Sequence, residues 1–154
     1  MTLSKEAHSE ICWWRTNVHT MTGPVAWPPI TEELSADASG KNGWGAKYKD
    51  ICIGGTWDPD QAELHINIKE MLAVLYGLRS FVEYLRGTHV RVLSDNWTTV
   101  CDINKMGSTK SKQCNIMAQC VWEYCKENDI YVTCTYIPGK ENIEADRESR
   151  KEYK

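Results

Sequence analysis

No apolar run in this chain approaches the roughly 20 residues that a membrane-spanning helix needs. The opening residues, MTLSKEAHSEICWW, carry neither the basic nor the apolar region of a secretory signal. The seven cysteines form no Cys-x-x-Cys pair, and their number is odd. These absences disfavour a membrane protein, a disulfide framework and a zinc knuckle. They predict reduced thiols in an intracellular compartment, either the cytoplasm or the nucleus.

An excess of positive charge is also missing. The formal net charge is −3 and the sequence pI is about 5.8, whereas free-standing nucleic-acid binders are usually basic. This charge therefore disfavours tight nucleic-acid binding by the chain alone. It does not exclude a local basic surface, or a domain tethered to a partner that supplies affinity. Its 154 residues, 42% of them apolar, are enough for one soluble domain with a proper core.

Hydrophobic periodicity predicts one α/β domain at 30–154, preceded by an appendage at 1–29. In that appendage Ser9 is expected to cap a short helix, and Trp13 and Trp14 are expected to dock on the domain. The predicted elements are strands at 34–39, 44–49 and 50–57, a helix at 67–85, a strand at 89–95, helices from 96 and at about 111–128, a strand at 130–137 and a helix at 143–151. Three hairpin strands followed by strands alternating with helices predict a five-stranded mixed sheet, three antiparallel strands then two parallel, flanked by helices.

Four acidic residues fall at ends of these strands or near helix starts, where active sites of such sheets collect. They are Asp37, Glu70, Asp95 and Asp146. Each also has a structural interpretation. Glu70 follows Asn67 at capping-box spacing, and Asp95 and Asp146 could simply favour the positive ends of the helices that they adjoin.

Placement favours a functional role for Asp37 and Glu70. Glu70 shares one side of its helix with Val74, Gly77 and Phe81, so it is expected to face inward. Asp37 sits between two alanines in the first core strand, and no Lys or Arg adjoins it there. Because a buried carboxylate is costly unless it is paired with a cation, a metal ion is a sensible partner.

Four segments resemble the ribonuclease H domains of retroelement reverse transcriptases, the DIRS and gypsy-like groups above all. They are ADASGKNGWGA, INIKEMLAVLYGL, VLSDNWTTV and YIPGKENIEADRESR, in this order and each on the expected element. The resemblance spans about residues 30–150. It implies a ribonuclease H-like fold and a domain that works beside the polymerase domain of a reverse transcriptase polyprotein.

The resemblance also implies the site. Asp37, Glu70, Asp95 and Asp146 would hold two Mg²⁺ ions, or Mn²⁺, for hydrolysis of the RNA strand of an RNA–DNA hybrid, leaving 5′-phosphate products. Asp37 would be the central ligand. The turn after it would approach the RNA and sense the 2′-hydroxyl. The expected substrate contacts are Ser39, Gly40, Asn42 and Asn96, with Lys140 as an aid to the leaving group.

The sequence departs from cellular and retroviral ribonucleases H in two places. No His lies in the loop before Asp146, where Asn142 is expected to cap the last helix, and no long basic protrusion follows the second helix. Lys105, Lys110 and Lys112 could touch DNA phosphates or simply be solvated, and Trp97 could stack or be packed in the fold. The alternatives are a catalytically silent hybrid-binding scaffold, a DNA-cutting nuclease or transposase of the same fold, and a plain interaction module.

Overall fold

Three strands follow one another as an antiparallel meander: β1 Ile30–Ala38, β2 Gly43–Tyr48 and β3 Ile51–Thr56. The computed structural model describes residues 4–17, 27–108 and 110–151, with the backbone alone for 13–17. Two further strands, β4 His89–Ser94 and β5 Tyr131–Tyr136, run parallel to β1. The sheet order is β3-β2-β1-β4-β5, so β1 lies at the centre. The predicted mixed five-stranded sheet is confirmed.

Helices connect and cover this sheet. They are α1 Lys5–Asn17, α2 Pro59–Ala62, α3 Ile66–Ser80, α4 Val82–Leu85, α5 Trp97–Asn104, α6 Lys112–Glu127 and α7 Ile143–Ser149, with a 3-10 turn at Gly139–Glu141. None of the helices in the described part of the chain is long and apolar enough to cross a membrane.

Opposite faces of the sheet carry α3 and α7. A Cβ on Gly77 of α3 would lie 3.2 Å from atoms of both Leu34 and Ala46, so the glycine lets the helix approach β1 and β2 closely. A Cβ on Gly45 would lie 2.2 Å from the carbonyl oxygen of Ala145 in α7. Because Gly45 and Ala46 are consecutive in a strand, their side-chain directions point to opposite faces. The two helices therefore pack on opposite faces of β2.

Several predicted boundaries were wrong. The first strand begins at Ile30 rather than 34, and the single helix predicted at 67–85 starts at Ile66 and is interrupted at Phe81, whose φ of −111° and ψ of 17° leave the helical range. The N-terminal helix begins at Lys5, so Ser9 lies inside it rather than at its cap. The side chains of residues 13 and 14 lie outside the described part, and their docking stays a prediction.

The core lies between the sheet and the helices on its α3 side. Leu34, Leu78, Val90, Val92 and Val121 are each fully buried within it. The last residues of the predicted appendage pack on this body as well. The ring of Trp27 lies 5.4 Å from that of His89, and the carbonyl of Pro28 is 2.7 Å from His89 Nδ1. The domain boundary at 29/30 stays a prediction.

Candidate active site

Three carboxylates meet at one edge of the sheet. Asp37 is the penultimate residue of β1, Asp95 directly follows β4, and Glu70 lies in α3. Each offers an oxygen atom within 4.8 Å of the others. Because β1 and β4 run parallel with Ser35 beside Leu93, their carboxyl ends fall at the same edge. We call Asp37, Glu70 and Asp95 the acid cluster.

Helix α3 brings Glu70 to the cluster because of where the helix begins. Its N-cap is His65, whose Nδ1 accepts a hydrogen bond from the backbone N–H of Asn67. The capping-box interpretation, with Asn67 as the cap, is therefore wrong. Glu70, Val74 and Gly77 are all buried, so the predicted inward-facing side of the helix is confirmed.

Burial and repulsion between carboxyl groups raise the pKa of two members of the acid cluster. Burial, and then the nearby Asp95, raise the pKa of Asp37 to about 8. Burial, and then Asp37 and Asp95, raise the pKa of Glu70 to about 9. Within the described part of the chain, Glu70 Oε2 is buried without a hydrogen-bond partner. Neighbouring charges of one sign and an orphaned oxygen both favour a bound cation.

The donor set fits a hard divalent ion. The cluster offers carboxylate oxygens alone, the ligands that Mg²⁺ and Mn²⁺ prefer over imidazole or thiolate. Glycine at 139 keeps space beside Asp95, because a Cβ there would lie 3.0 Å from Asp95 Oδ2. A larger residue at 139 would therefore crowd the Asp95 carboxylate that the cluster offers to a metal.

Asp146 lies beside this cluster but outside its set of three mutually close oxygens. It belongs to the first turn of α7, and its carboxyl is close enough to Asp37 to contribute to the raised pKa of Asp37. Its Oδ1 accepts a hydrogen bond of 3.0 Å from Arg150 Nε, in an ion pair whose side chains are 40% and 67% exposed. The structure thus brings the fourth predicted acid to the side of Asp37.

The turn between β1 and β2, residues 39–43, is organised by Ser39. We call it the substrate turn, after the contact that the sequence predicts for it. Ser39 is 6% exposed, and its Oγ accepts hydrogen bonds from the backbone N–H groups of Asn42 and Gly43 at 3.0 and 2.9 Å. That hydroxyl is directed into the protein, so it closes the turn rather than projecting towards a ligand. The part of the turn that is open is Gly40, where an added Cβ would meet nothing within 4 Å.

Of the other predicted substrate contacts, Asn42 and Asn96 already bond to protein atoms, whereas Lys140 is exposed. Asn96 caps α5, with Oδ1 accepting from the Thr99 N–H at 2.9 Å and Nδ2 donating to Asn67 at 3.1 Å. Asn42 Nδ2 donates to the carbonyl of Arg150 at 2.8 Å. Lys140 is exposed in the 3-10 turn after β5. Asn142 occupies the cap position before α7, but its Nδ2 donates to the Ala36 carbonyl at 3.1 Å instead of capping the helix.

Sequence reasoning missed Lys69, whose side chain supports the substrate turn. Lys69 is 3% exposed, and its ammonium donates to the carbonyls of Gly40 at 2.5 Å and Ala62 at 2.7 Å. The available signal was its position four residues before Ala73, another fully buried residue of α3. Lys69 therefore ties the open part of the turn to the segment that precedes the helix.

Of the two interpretations of Trp97, packing in the fold is wrong. The side chain is 64% exposed and lies edge-on to Tyr136, itself 44% exposed, with ring centroids 5.7 Å apart. The two rings form an exposed aromatic pair next to Asp95, at the start of α5 and the end of β5.

Known proteins resemble this chain in their three-dimensional structure. No protein-family model matches the chain, and no curated protein matches it. Among solved structures, LC11 ribonuclease H1 in complex with an RNA/DNA hybrid superposes with a TM-score of 0.64 at 17% identity, covering 76% of this chain and 92% of that one. Ribonuclease H1 from Halobacterium salinarum NRC-1 gives 0.59 at 16% identity, covering 75% and 92%. The protease-reverse transcriptase of prototype foamy virus gives 0.50 at 10% identity, covering 89% and 19%.

These likenesses define the class of fold. The chain has a ribonuclease H-like fold, with a mixed five-stranded sheet flanked by helices. Within that fold the acid cluster lies at the carboxyl ends of the two central parallel strands, β1 and β4.

Proposed function

We propose that this protein is a ribonuclease H, which hydrolyses the RNA strand of an RNA–DNA hybrid endonucleolytically and leaves 5′-phosphate products. The observation that carries the proposal is the acid cluster. Asp37 and Glu70 are 3% and 5% exposed, and both lie with Asp95 within reach of one cation. A fold alone does not define an activity, but a buried group of carboxylates built for a cation narrows the chemistry to metal-assisted reactions.

Asp37, Glu70, Asp95 and Asp146 would hold the metal, Mg²⁺ or Mn²⁺, and the resemblance implies two ions. When bound, divalent ions supply charge stabilisation at the phosphate and a water that is a nucleophile at neutral pH. The protein's part is to keep the four carboxylates converged. Asp37 would be the central ligand, as the resemblance implies, and its carboxyl is within electrostatic reach of Glu70, Asp95 and Asp146.

The substrate turn would select the RNA strand. Gly40 is exposed and unobstructed, so its backbone can approach a ribose closely. A 2′-hydroxyl both donates and accepts hydrogen bonds, which distinguishes RNA from DNA at such a contact. Asn42 and Asn96 flank the same edge, and their amides would reach the minor groove if they exchange their present partners. Ser39 acts through the shape of the turn. Lys140 would assist the departing 3′ oxygen.

We further propose a retroelement context of the DIRS or gypsy-like kind, in the cytoplasm or nucleus. The four resembling segments support it, and so does the likeness to a viral protease-reverse transcriptase over 89% of this chain. A tethered polymerase domain would hold the hybrid and supply affinity that a chain of net charge −3 lacks. The isolated chain is therefore expected to bind hybrid weakly, and binding is expected to fall steeply as salt rises.

The test is cleavage of an end-labelled RNA–DNA hybrid at low salt with Mg²⁺ or Mn²⁺, beside duplex DNA and duplex RNA. The expected result is metal-dependent loss of the RNA strand alone, abolished by Asp37→Asn. Tight hybrid binding without cleavage would support the silent scaffold instead. Cleavage of duplex DNA in preference to the hybrid would support a DNA nuclease of the same fold.

A further inference from the structure

The last turn of α7 contacts the acid cluster through a residue with no assigned role. Ser149 is fully buried, and its Oγ lies 3.1 Å from Asp37 Oδ2 and 2.7 Å from the carbonyl oxygen of Asp146. The single hydroxyl proton thus has two acceptors. An ionised carboxylate is the stronger acceptor of the two. The hydroxyl is therefore placed to hold one oxygen of Asp37 when that carboxyl is charged.

The same residue also holds the substrate turn. The carbonyl oxygen of Ser149 accepts a hydrogen bond of 2.8 Å from Ser39 Oγ. The carbonyl of the next residue, Arg150, accepts one of 2.8 Å from Asn42 Nδ2. Two adjacent residues at the end of one helix consequently contact both the carboxylate of Asp37 and the turn that follows it.

The helix end is itself held in place from the sheet. A Cβ on Gly45 would lie 2.6 Å from the backbone nitrogen of Ser149, so α7 lies directly on β2. At the other end of the helix, Asn142 Nδ2 donates to the carbonyl of Ala36, immediately before Asp37. Since α7 is anchored at both ends, Ser149 has little freedom to relax away from its partners.

We propose that Ser149 is a positioning residue that couples the metal-binding carboxylates to the substrate turn. Its hydroxyl orients Asp37 for the cation, and its carbonyl fixes Ser39 and therefore the shape of residues 39–43. This inference rests on the proposed ribonuclease H function for its substrate, whereas its effect on metal binding does not depend on that function.

The experiment compares wild type, Ser149→Ala and Thr133→Ala as full chains. Thr133 is the matched control, because its Oγ1 makes a 2.7 Å hydrogen bond with His89 Nε2 in the middle of β5, away from the acid cluster. Mn²⁺ binding is measured by titration calorimetry, kcat and KM on the hybrid are measured in parallel, and thermal unfolding is followed in EDTA. Loss of a hydrogen bond to a charged group predicts about tenfold weaker Mn²⁺ binding and about tenfold lower kcat for Ser149→Ala. Thr133→Ala should keep the wild-type Mn²⁺ affinity and kcat, although it should lower the unfolding temperature because His89 loses a hydrogen-bond partner.

A purely structural role would lower the unfolding temperature of Ser149→Ala and leave Mn²⁺ affinity and kcat at wild-type values, and that result overturns the proposal. Should Ser149→Ala fail to fold, Ser149→Cys takes its place. Its thiol is a weaker donor of similar size, so Mn²⁺ affinity below wild type supports the proposal and equal affinity overturns it. A wild-type chain that binds Mn²⁺ but cuts no hybrid contradicts the proposed function alone, and Ser149 is then judged by the calorimetry.

Discussion

Lys69 and Glu70 are neighbours in α3, both almost fully buried, and their surroundings are opposite in kind. The Lys69 ammonium donates to two backbone carbonyls, those of Gly40 and Ala62. Glu70 faces Asp37 and Asp95, charges of its own sign, and its Oε2 lacks a hydrogen-bond partner within the described residues. The turn supported by Lys69 and the acid cluster therefore lie side by side. The buried ammonium of Lys69 has its hydrogen-bond partners, whereas Oε2 of the buried Glu70 carboxyl lacks one among the described residues.

The difference separates structural from functional charge burial. Burying a charged group is unfavourable unless partners replace the lost water. Lys69 finds those partners within the chain and stabilises the fold. The acid cluster finds them only in part, because Ser149 donates to Asp37 while Glu70 Oε2 has no partner among the described residues. The remaining repulsion between its carboxyl groups destabilises the fold until a cation binds. A charged residue on a buried helix face is thus interpretable only once the groups around it are known.

The largest expected effect comes from removing a carboxylate of the cluster. Glu70→Gln should lower hybrid cleavage by more than about 100-fold, since even residues that only orient metal ligands change metal affinity or activity by about 10- to 100-fold. Steady-state cleavage of labelled hybrid measures it. Glu123→Gln, which removes an exposed carboxylate of α6, is the control and should cleave at the wild-type rate. Activity retained in Glu70→Gln would contradict the assignment of the cluster.

The second prediction is a gain rather than a loss: without metal, removing a carboxylate of the cluster should raise the free energy of unfolding. Because Glu70 and Asp37 have raised pKa values of about 9 and 8 in the folded protein, the native state binds more protons than the unfolded state above about pH 4. The free energy of unfolding in EDTA should therefore fall as pH rises from about 5 to about 9. Glu70→Gln should flatten this fall and be more stable than wild type at pH 8 by about 1 kcal/mol or more.

Urea unfolding at pH 5, 7 and 9 measures that difference. Added Mg²⁺ should reverse it by stabilising wild type more than Glu70→Gln, because a cation that binds only the folded state shifts the equilibrium towards that state. A wild-type chain whose EDTA stability is flat or rises across this pH range would show that the cluster is not strained.

Lys69→Met tests the region in which the buried charge has its hydrogen-bond partners. The change leaves the carbonyls of Gly40 and Ala62 without their charged donor, so the variant should lose about 1–3 kcal/mol of unfolding free energy. KM for the hybrid should rise because the substrate turn loosens, while Mn²⁺ affinity should stay near the wild-type value. Lys126→Met, at an exposed position of α6, is the control. Unchanged stability in Lys69→Met would mean that the buried ammonium is not a tether.

The smallest effect is expected at Trp97, which belongs to neither region. Since its ring is 64% exposed, Trp97→Ala should change the unfolding free energy by no more than about 0.5 kcal/mol. If the ring contacts the hybrid, KM should rise by less than about tenfold, the low end for loss of one base-stacking aromatic. Thermal unfolding and steady-state kinetics measure the two. A large loss of stability would show that the exposed pair with Tyr136 is part of the core.

Local signals in the sequence were sufficient for most of the architecture. Asn96 and Ser111 cap α5 and α6 at the predicted boundaries, because a side-chain acceptor before an apolar run is a local device. Helix α2 was missed although its signal was readable. Asp58 and Gln61 form a capping box with Pro59 in the first helical position.

The candidate site was foreseen in part and for a definable reason. Hydrophobic periodicity placed Asp37, Glu70, Asp95 and Asp146 near strand ends or helix starts, and the resemblance to ribonucleases H implied that they converge. Ser39 and Asn142 could not be interpreted correctly, because their side chains bond to distant backbone atoms, those of Ser149 and Ala36. Such partners are 110 and 106 residues away in sequence.

The sequence by itself determined the order of the strands and of the longer helices, and which acids stand near their ends, because periodicity and caps act over a few residues. Only the tertiary structure decided which buried charges are satisfied. That distinction depends on atoms that packing brings together across the sheet: the Gly40 carbonyl for Lys69, and the Ser149 hydroxyl and neighbouring carboxyls for Asp37. Desolvation and repulsion are properties of such three-dimensional neighbourhoods, so no local pattern along the chain records them.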